Sequence, residues 1–168
     1  MSECLETFNA LVEREALVEL LKVCTSTVWA RAVLDQRPFK DQAALLAASE
    51  AAWQLTREAD WLEAFEGHPK IGDAQALQGG AKTMAMQEQG QVSTALVSTR
   101  EALARLNQTY LDRFGFIFII CASGRSAEAM LSVLELSLER SRVDELQRAA
   151  GEQFQIMTRR LLSWFEST

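Results

Sequence analysis

Three polar side chains sit in patterns that ordinary packing does not explain, and each has a chemistry of its own. His68 is the single histidine in 168 residues. It lies in Glu66-Gly67-His68-Pro69-Lys70-Ile71-Gly72-Asp73. A proline directly after a residue disfavours helical geometry for that residue, and Gly67 and Gly72 allow the chain to bend on either side. The imidazole is therefore presented from a bent, non-helical segment. A lone histidine is commonly structural, but its usual structural setting, one slot on an apolar helical face, is excluded here by Gly67 and Pro69. An imidazole titrates near neutrality and can act as a general acid or base.

The second residue is Arg160, one turn after Ile156 and one turn before Trp164, on the apolar side of the last helical pattern. Its neighbour Arg159 stacks with Gln155 and Ser163 on the polar side. A guanidinium on an apolar face either snorkels along the core edge or holds an anion or carbonyl with its planar fork. The third is Glu88, in Met84-Ala85-Met86-Gln87-Glu88-Gln89, which taken alone reads as a solvated helix residue.

One apolar stretch is equally out of place. Phe114-Gly115-Phe116-Ile117-Phe118-Ile119-Ile120-Cys121-Ala122 has the aromatic and β-branched content of a buried strand. No second segment reads as its partner strand, so its backbone N–H and C=O groups need other acceptors and donors. Two accounts stand: the stretch is part of a buried helix, or it is extended and its main chain hydrogen-bonds a ligand.

The remaining pattern is helical. Leu17, Leu20, Leu21 and Cys24 recur at helical spacing, which predicts a helix over about 12–23. Ser26 caps a short helix bearing Trp29 and Val33, and Arg37-Pro38-Phe39 interrupts the pattern. Asp41 caps an alanine-rich helix to about residue 55, and Thr56 caps the next, where Trp61, Leu62 and Phe65 gather. A loop is expected over 75–81 around Gly79-Gly80, then a short helix over about 82–91. Ser98 and Glu101 match a capping box for a helix with Leu103, Leu106, Tyr110 and Phe114 on one stripe. A helix over 126–139 turns Met130, Leu131, Leu134 and Leu138 inward. Ser141 and Asp144 start the last helix, whose core face runs through Leu146, Ala150, Met157, Leu161 and Trp164. The expectation is all-α: one domain over 1–168, a multi-helix bundle with one buried apolar segment.

Composition narrows the function classes. Hydrophobic residues make up 48% and charged residues 24%, as in a globular domain, and the formal net charge is −6. That argues against nucleic-acid or anionic-membrane partners, so an anionic ligand must be held by local cations. Cys4, Cys24 and Cys121 show neither a disulfide framework nor a thiolate metal pattern, and one histidine excludes a His-rich metal site. The first eleven residues include Glu3 and Glu6 and lack the apolar block of a secretory signal. Residues 114–122 fall far short of the roughly 20 apolar residues that span a bilayer. A cytoplasmic protein is expected.

In combination, the motifs resemble one family. His68-Pro69-x-Ile71-Gly72-Asp73, then Glu88-Gln89, then Arg113-Phe114-Gly115-Phe116-x-Phe118 after a helix, and Arg160-Leu161 near the end are similar to the 2-oxo-4-hydroxy-4-carboxy-5-ureidoimidazoline (OHCU) decarboxylases of purine catabolism. Thr7-Phe8-Asn9, Trp29, Arg37-Pro38-Phe39, Trp53, Glu152 and Ile156 extend the resemblance over essentially the whole chain. It implies an all-α, dimeric, cofactor-free enzyme making (S)-allantoin. It also implies His68, Glu88 and Arg160 as catalytic residues and Pro69 and Gln89 as lining the site. The segment carrying Phe116, Ile117, Phe118, Ile119 and Ile120 would meet the ureido group through its backbone, which favours the extended account. Many family members have Ser where this chain has Ala85, so that contact is absent or replaced.

The implied chemistry needs few groups. Loss of CO₂ leaves an electron pair at the ring carbon, and the substrate's adjacent C=N accepts it, so no cofactor or metal is required. The protein orients the carboxylate, relays protons and favours the enolate-like transition state. His68 would handle the hydroxyl proton, Glu88 would orient or charge His68, and Arg160 would hold a ring oxygen or the carboxylate. Two other readings compete. An all-α interaction module would use its tryptophans to pack a partner helix. A hydrolase would pair His68 with Ser123 or Cys121.

Overall fold

The computed structural model describes residues 3–68 and 89–166, with side chains described over 3–68 and 97–164. Among these residues there are eight helices and no strand. The chain divides into two compact units, Met1–Gly67 with Ala150–Thr168, and His68–Ala149.

The first unit is built from α1 (Glu3–Ala10), α2 (Glu13–Val23), α3 (Thr27–Leu34), α4 (Gln42–Gln54), α5 (Glu58–Glu66) and the later turns of α8 (Arg142–Glu166). Its helices start where short polar side chains can cap them. Ser26 accepts from the amide of Trp29 at 3.3 Å, and Asp41 accepts from that of Ala44 at 2.8 Å. Trp29 is fully buried, and its indole N–H donates to the Ser49 carbonyl at 3.2 Å, so the largest core ring leaves no orphan donor. Also buried in this unit are Ala16, Leu20 and Val23 of α2, Leu45, Ala48 and Ala52 of α4, and Met157 and Leu161 of α8. Arg37 donates to the carbonyls of Phe8 and Leu11 and so closes the end of α1.

One sequence expectation changes here. The cap of α5 is Arg57 rather than Thr56, because Asp60 reaches back to the Arg57 amide at 2.8 Å while Thr56 donates to the Trp53 carbonyl. A helix without a counterpart in the sequence reading, α1, carries no strong periodic signal in so short a segment, yet it buries Leu5 and Phe8. α2 ends at Val23, as its periodicity predicts. Cys24 follows it with φ −150° and ψ 129°, buried in the connector to α3.

The second unit contains α6 (Gln89–Phe114), α7 (Ala127–Leu138) and the first turns of α8. α6 runs unbroken through Ser98, so the Ser98–Glu101 capping box is not a helix start. Both residues sit on an exposed face, where a polar pair is tolerated mid-helix. Gly79-Gly80, and all but the last residues of the short helix expected over 82–91, lie outside the described residues. Gly115, at φ +79°, ends α6 with its amide on the Leu111 carbonyl at 2.8 Å. The chain then runs without helix or strand to Ser126, which caps α7 through the amide of Ala129 at 3.2 Å. Residues 116–121 thus belong to neither a helix nor a strand, which overturns the buried-helix account. Among the described residues, no helix is long and apolar enough to cross a membrane.

Candidate functional site

Residues 23–27, the connector between α2 and α3, hold one catalytic candidate and the helix that leads to another. Arg160 is half-buried on α8 and donates through Nη1 to the carbonyl of Val23 at 2.6 Å. Arg159 beside it is exposed, as are Gln155 and Ser163. Among the described residues Arg160 has no carboxylate partner. The next connector residue, Cys24, lies against Gln153, whose amide donates to its Sγ at 3.8 Å. Burial pushes the Cys24 thiol up to about 11; the Ser26 backbone hydrogen bond and the charge of Arg160 only partly oppose this. Cys24 is therefore a neutral thiol at physiological pH.

Thr25 does the second job. Its hydroxyl donates to the Glu63 carbonyl at 2.8 Å and lies 3.3 Å from that of Ala64, so a side chain from another segment caps the last turn of α5. In return the Glu63 carboxylate accepts from the Thr27 amide at 3.1 Å and hydroxyl at 2.6 Å at the start of α3, where a helix dipole favours negative charge. Gly67 packs so closely on Thr25 that an added Cβ would lie 2.6 Å from the hydroxyl. His68 follows Gly67 directly, half-buried and in a bend rather than a helix, as the Gly-His-Pro sequence predicts.

The extended segment is organised by one ring. Phe114, Phe116 and Phe118 alternate along the chain and lie at centroid distances of 4.6, 5.6 and 5.3 Å from Tyr110. Phe116 and Phe118 are buried and Ile117 between them half-buried, and the alternation then gives way to a wholly buried run through Ile119, Ile120 and Cys121. Among the described residues, no backbone–backbone hydrogen bond reaches Ile117, Phe118, Ile119 or Ile120. Such main-chain groups suit a ligand that offers both donors and acceptors.

Of the other expected site residues, Pro69 and Glu88 lie outside the described residues, and Gln89 opens α6 with an undescribed side chain. The motif reading did not find Tyr110, Glu145 and Arg148. Tyr110 donates to Glu145 Oε1 at 2.8 Å, and Arg148 reaches the same oxygen through Nε at 2.6 Å. The available signal was the single tyrosine of the chain, placed on a core stripe where its hydroxyl needs a partner. Burial and then the Glu145 hydrogen bond push its phenol well above the ordinary range. Among the described residues no cluster of His, Cys, Asp and Glu is disposed to hold a metal ion.

The first unit thus presents a half-buried Arg160, and the second a His68 in a bend and a main-chain segment without backbone–backbone hydrogen bonds among the described residues. The family model for OHCU decarboxylase matches residues 9–162. The chain belongs to the OHCU decarboxylase family. It is 34% identical over 145 residues to the uric acid degradation bifunctional protein TTL of Arabidopsis thaliana, covering 84% of this chain but 45% of that protein. This chain thus spans less than half of that relative's length. The Xenopus laevis OHCU decarboxylase is 27% identical over 96% of this chain and 87% of its own. A crystal structure of OHCU decarboxylase in the presence of (S)-allantoin superposes with a TM-score of 0.73 at 32% identity, covering 89% of this chain and 98% of that one.

Proposed function

We propose that this protein decarboxylates OHCU to (S)-allantoin in urate degradation, as a carbon–carbon lyase. The observation that carries the reading is the family match over 9–162, which takes in every expected site residue from His68 to Arg160. The half-buried Arg160, without a carboxylate partner among the described residues, supports it. In a chain of net charge −6 such a cation is the local feature that favours an anionic substrate.

In this proposal Arg160 holds a ring oxygen or the carboxylate of the substrate. His68 takes the hydroxyl proton, and Glu88 orients or charges His68. Pro69 and Gln89 line the site, and the main chain of Phe116, Ile117, Phe118, Ile119 and Ile120 meets the ureido group. CO₂ departs with its bonding electrons left on the hydroxyl-bearing ring carbon and the neighbouring C=N accepts them; as the hydroxyl gives up its proton that carbon becomes a carbonyl, and protonation of the former C=N carbon sets the stereocentre. The substrate is its own electron sink, so turnover needs neither metal nor organic cofactor. The active form is a cytoplasmic homodimer in which residues 1–168 act as one catalytic domain.

The test is stereochemical. Freshly generated OHCU is supplied to the protein and the product followed by circular dichroism. The expected result is one hand of allantoin, formed faster than spontaneous decay. Racemic allantoin at the uncatalysed rate would sink the proposal.

A further inference from the structure

Glu145 is a fully buried carboxylate in the second unit, and nothing in the reaction uses it. Its Oε1 accepts from Tyr110 and from Arg148, and Arg140 stands 3.6 Å from Oε2. As a device for stability this is a poor choice. Desolvating two charges largely cancels their attraction, and apolar residues of the same volume do as well. What the pair supplies is direction.

With one edge on Glu145, Arg148 donates through Nη2 to the carbonyl of Ile119 at 3.0 Å and lies over the ring of Phe118 at 4.9 Å. Two turns earlier on α8, Arg142 donates through Nε to the carbonyl of Phe114 at 3.2 Å and lies over the ring of Phe116 at 5.9 Å. Residues 142, 145 and 148 are three apart and share one side of the helix. Arg142 thus holds the carbonyl at the end of α6, and Arg148 holds that of Ile119 five residues further along the chain.

We propose that Tyr110, Glu145 and Arg148 are positioning residues that fix the extended segment's backbone, through the Ile119 carbonyl and the Phe118 ring, at the height where its open main-chain groups meet substrate. Tyr110 and Glu145 act through Arg148: the hydroxyl and the carboxylate hold the guanidinium so that Nη2 points at one carbonyl. This inference rests on the proposed function for its consequence in catalysis, although its structural half stands apart from it.

The test combines local amide exchange with kinetics. Arg148→Lys keeps a positive charge beside Glu145 but loses the fork that reaches Ile119. The double variant E145Q/R148M removes both charges at similar volume, and serves if Arg148→Lys does not fold. Loss of one charge-assisted hydrogen bond predicts about tenfold faster exchange in the peptide covering 116–121, with exchange in α3 and α4 unchanged. Main-chain contacts bind substrate, so KM should rise about tenfold while kcat changes little. Tyr110→Phe should show the same pattern more weakly. Wild-type exchange in 116–121 in a folded variant would overturn the inference, as would a loosened segment with unchanged KM. A general fall in protection across both units would show a structural role only, and would also overturn it. If wild-type protein shows no decarboxylase activity, the proposed function fails, and the exchange measurement alone decides the positioning claim.

Discussion

Arg160 and Val23, separated by 137 residues, are joined by a hydrogen bond of 2.6 Å from guanidinium to carbonyl. The bond fixes one arm of the fork and identifies the side of α8 on which the site arginine lies. Arg159 is exposed between Gln155 and Ser163, and a turn of about 100° per residue keeps it off that side. Replacing Arg160 with Lys keeps the charge but removes the bidentate geometry. A charge-assisted hydrogen bond of about 1.5–3 kcal/mol predicts a fall of tenfold or more in kcat/KM at Arg160. The same change at Arg159 should leave kcat/KM as in the wild type. Equal effects at the two positions would place the site elsewhere.

His68→Asn should abolish decarboxylation and leave helical circular dichroism intact. Asn accepts a bent backbone but transfers no proton near neutral pH. Glu88→Gln should be nearly as damaging if its charge orients or polarises the imidazole. Loss of helical signal together with activity in the His68 variant would make that histidine a structural residue. Wild-type rates in the Glu88 variant would remove Glu88 from the mechanism.

The legible parts of this chain were the local ones. Ser26, Asp41 and Ser141 were legible as caps, because a cap depends on a side chain and an amide three residues apart. Ser98 failed by the same logic. The pattern was present, but α6 runs through it from Gln89 to Phe114. The extended segment was ambiguous because an apolar run of that length has no period to tell helix from strand. What decided its conformation is tertiary: Gly115 ends α6, and the three alternating rings close on Tyr110. Arg160 was found because it breaks an apolar stripe. Glu145 was missed because an acid in the first turn of a helix is ordinarily a solvated partner of the dipole.

Cys24 predicts a stability change with pH. Below pH 9.0 its thiol is protonated in folded and unfolded chains alike. Between 9.0 and about 11 the unfolded chain loses the proton and the folded chain keeps it. The native state then binds more protons, so stability falls as pH rises through that window. Two units of pKa correspond to about 2–3 kcal/mol at the upper end. Urea midpoints at about pH 8 and about pH 10.5 should fall further apart in the wild type than in Cys24→Ala. An equal drop in both proteins would mean that Cys24 titrates as an exposed thiol does.

Gly67 and Thr25 give the sharpest test of how His68 is held. The backbone at Gly67 has φ −72° and ψ 0°, which alanine adopts freely, so the case for glycine is steric rather than conformational. A Cβ there would lie 2.6 Å from the Thr25 hydroxyl and 2.7 Å from its methyl group. Thr25 cannot turn away without losing its bond to the Glu63 carbonyl. Gly67→Ala should therefore cost about 1–3 kcal/mol, the usual range for overpacking. Thr25→Ala alone should cost about 1 kcal/mol through the lost cap. In the double variant only the 3.2 Å approach to the residue 25 Cβ remains, so the two costs should fail to add by about 1 kcal/mol. The kinetics should follow the geometry. With His68 next in the chain, Gly67→Ala should lower kcat at a temperature where the variant is still folded, and Thr25→Ala should restore part of it. Additive stabilities, or a kcat indifferent to both changes, would mean that the connector does not set the position of His68.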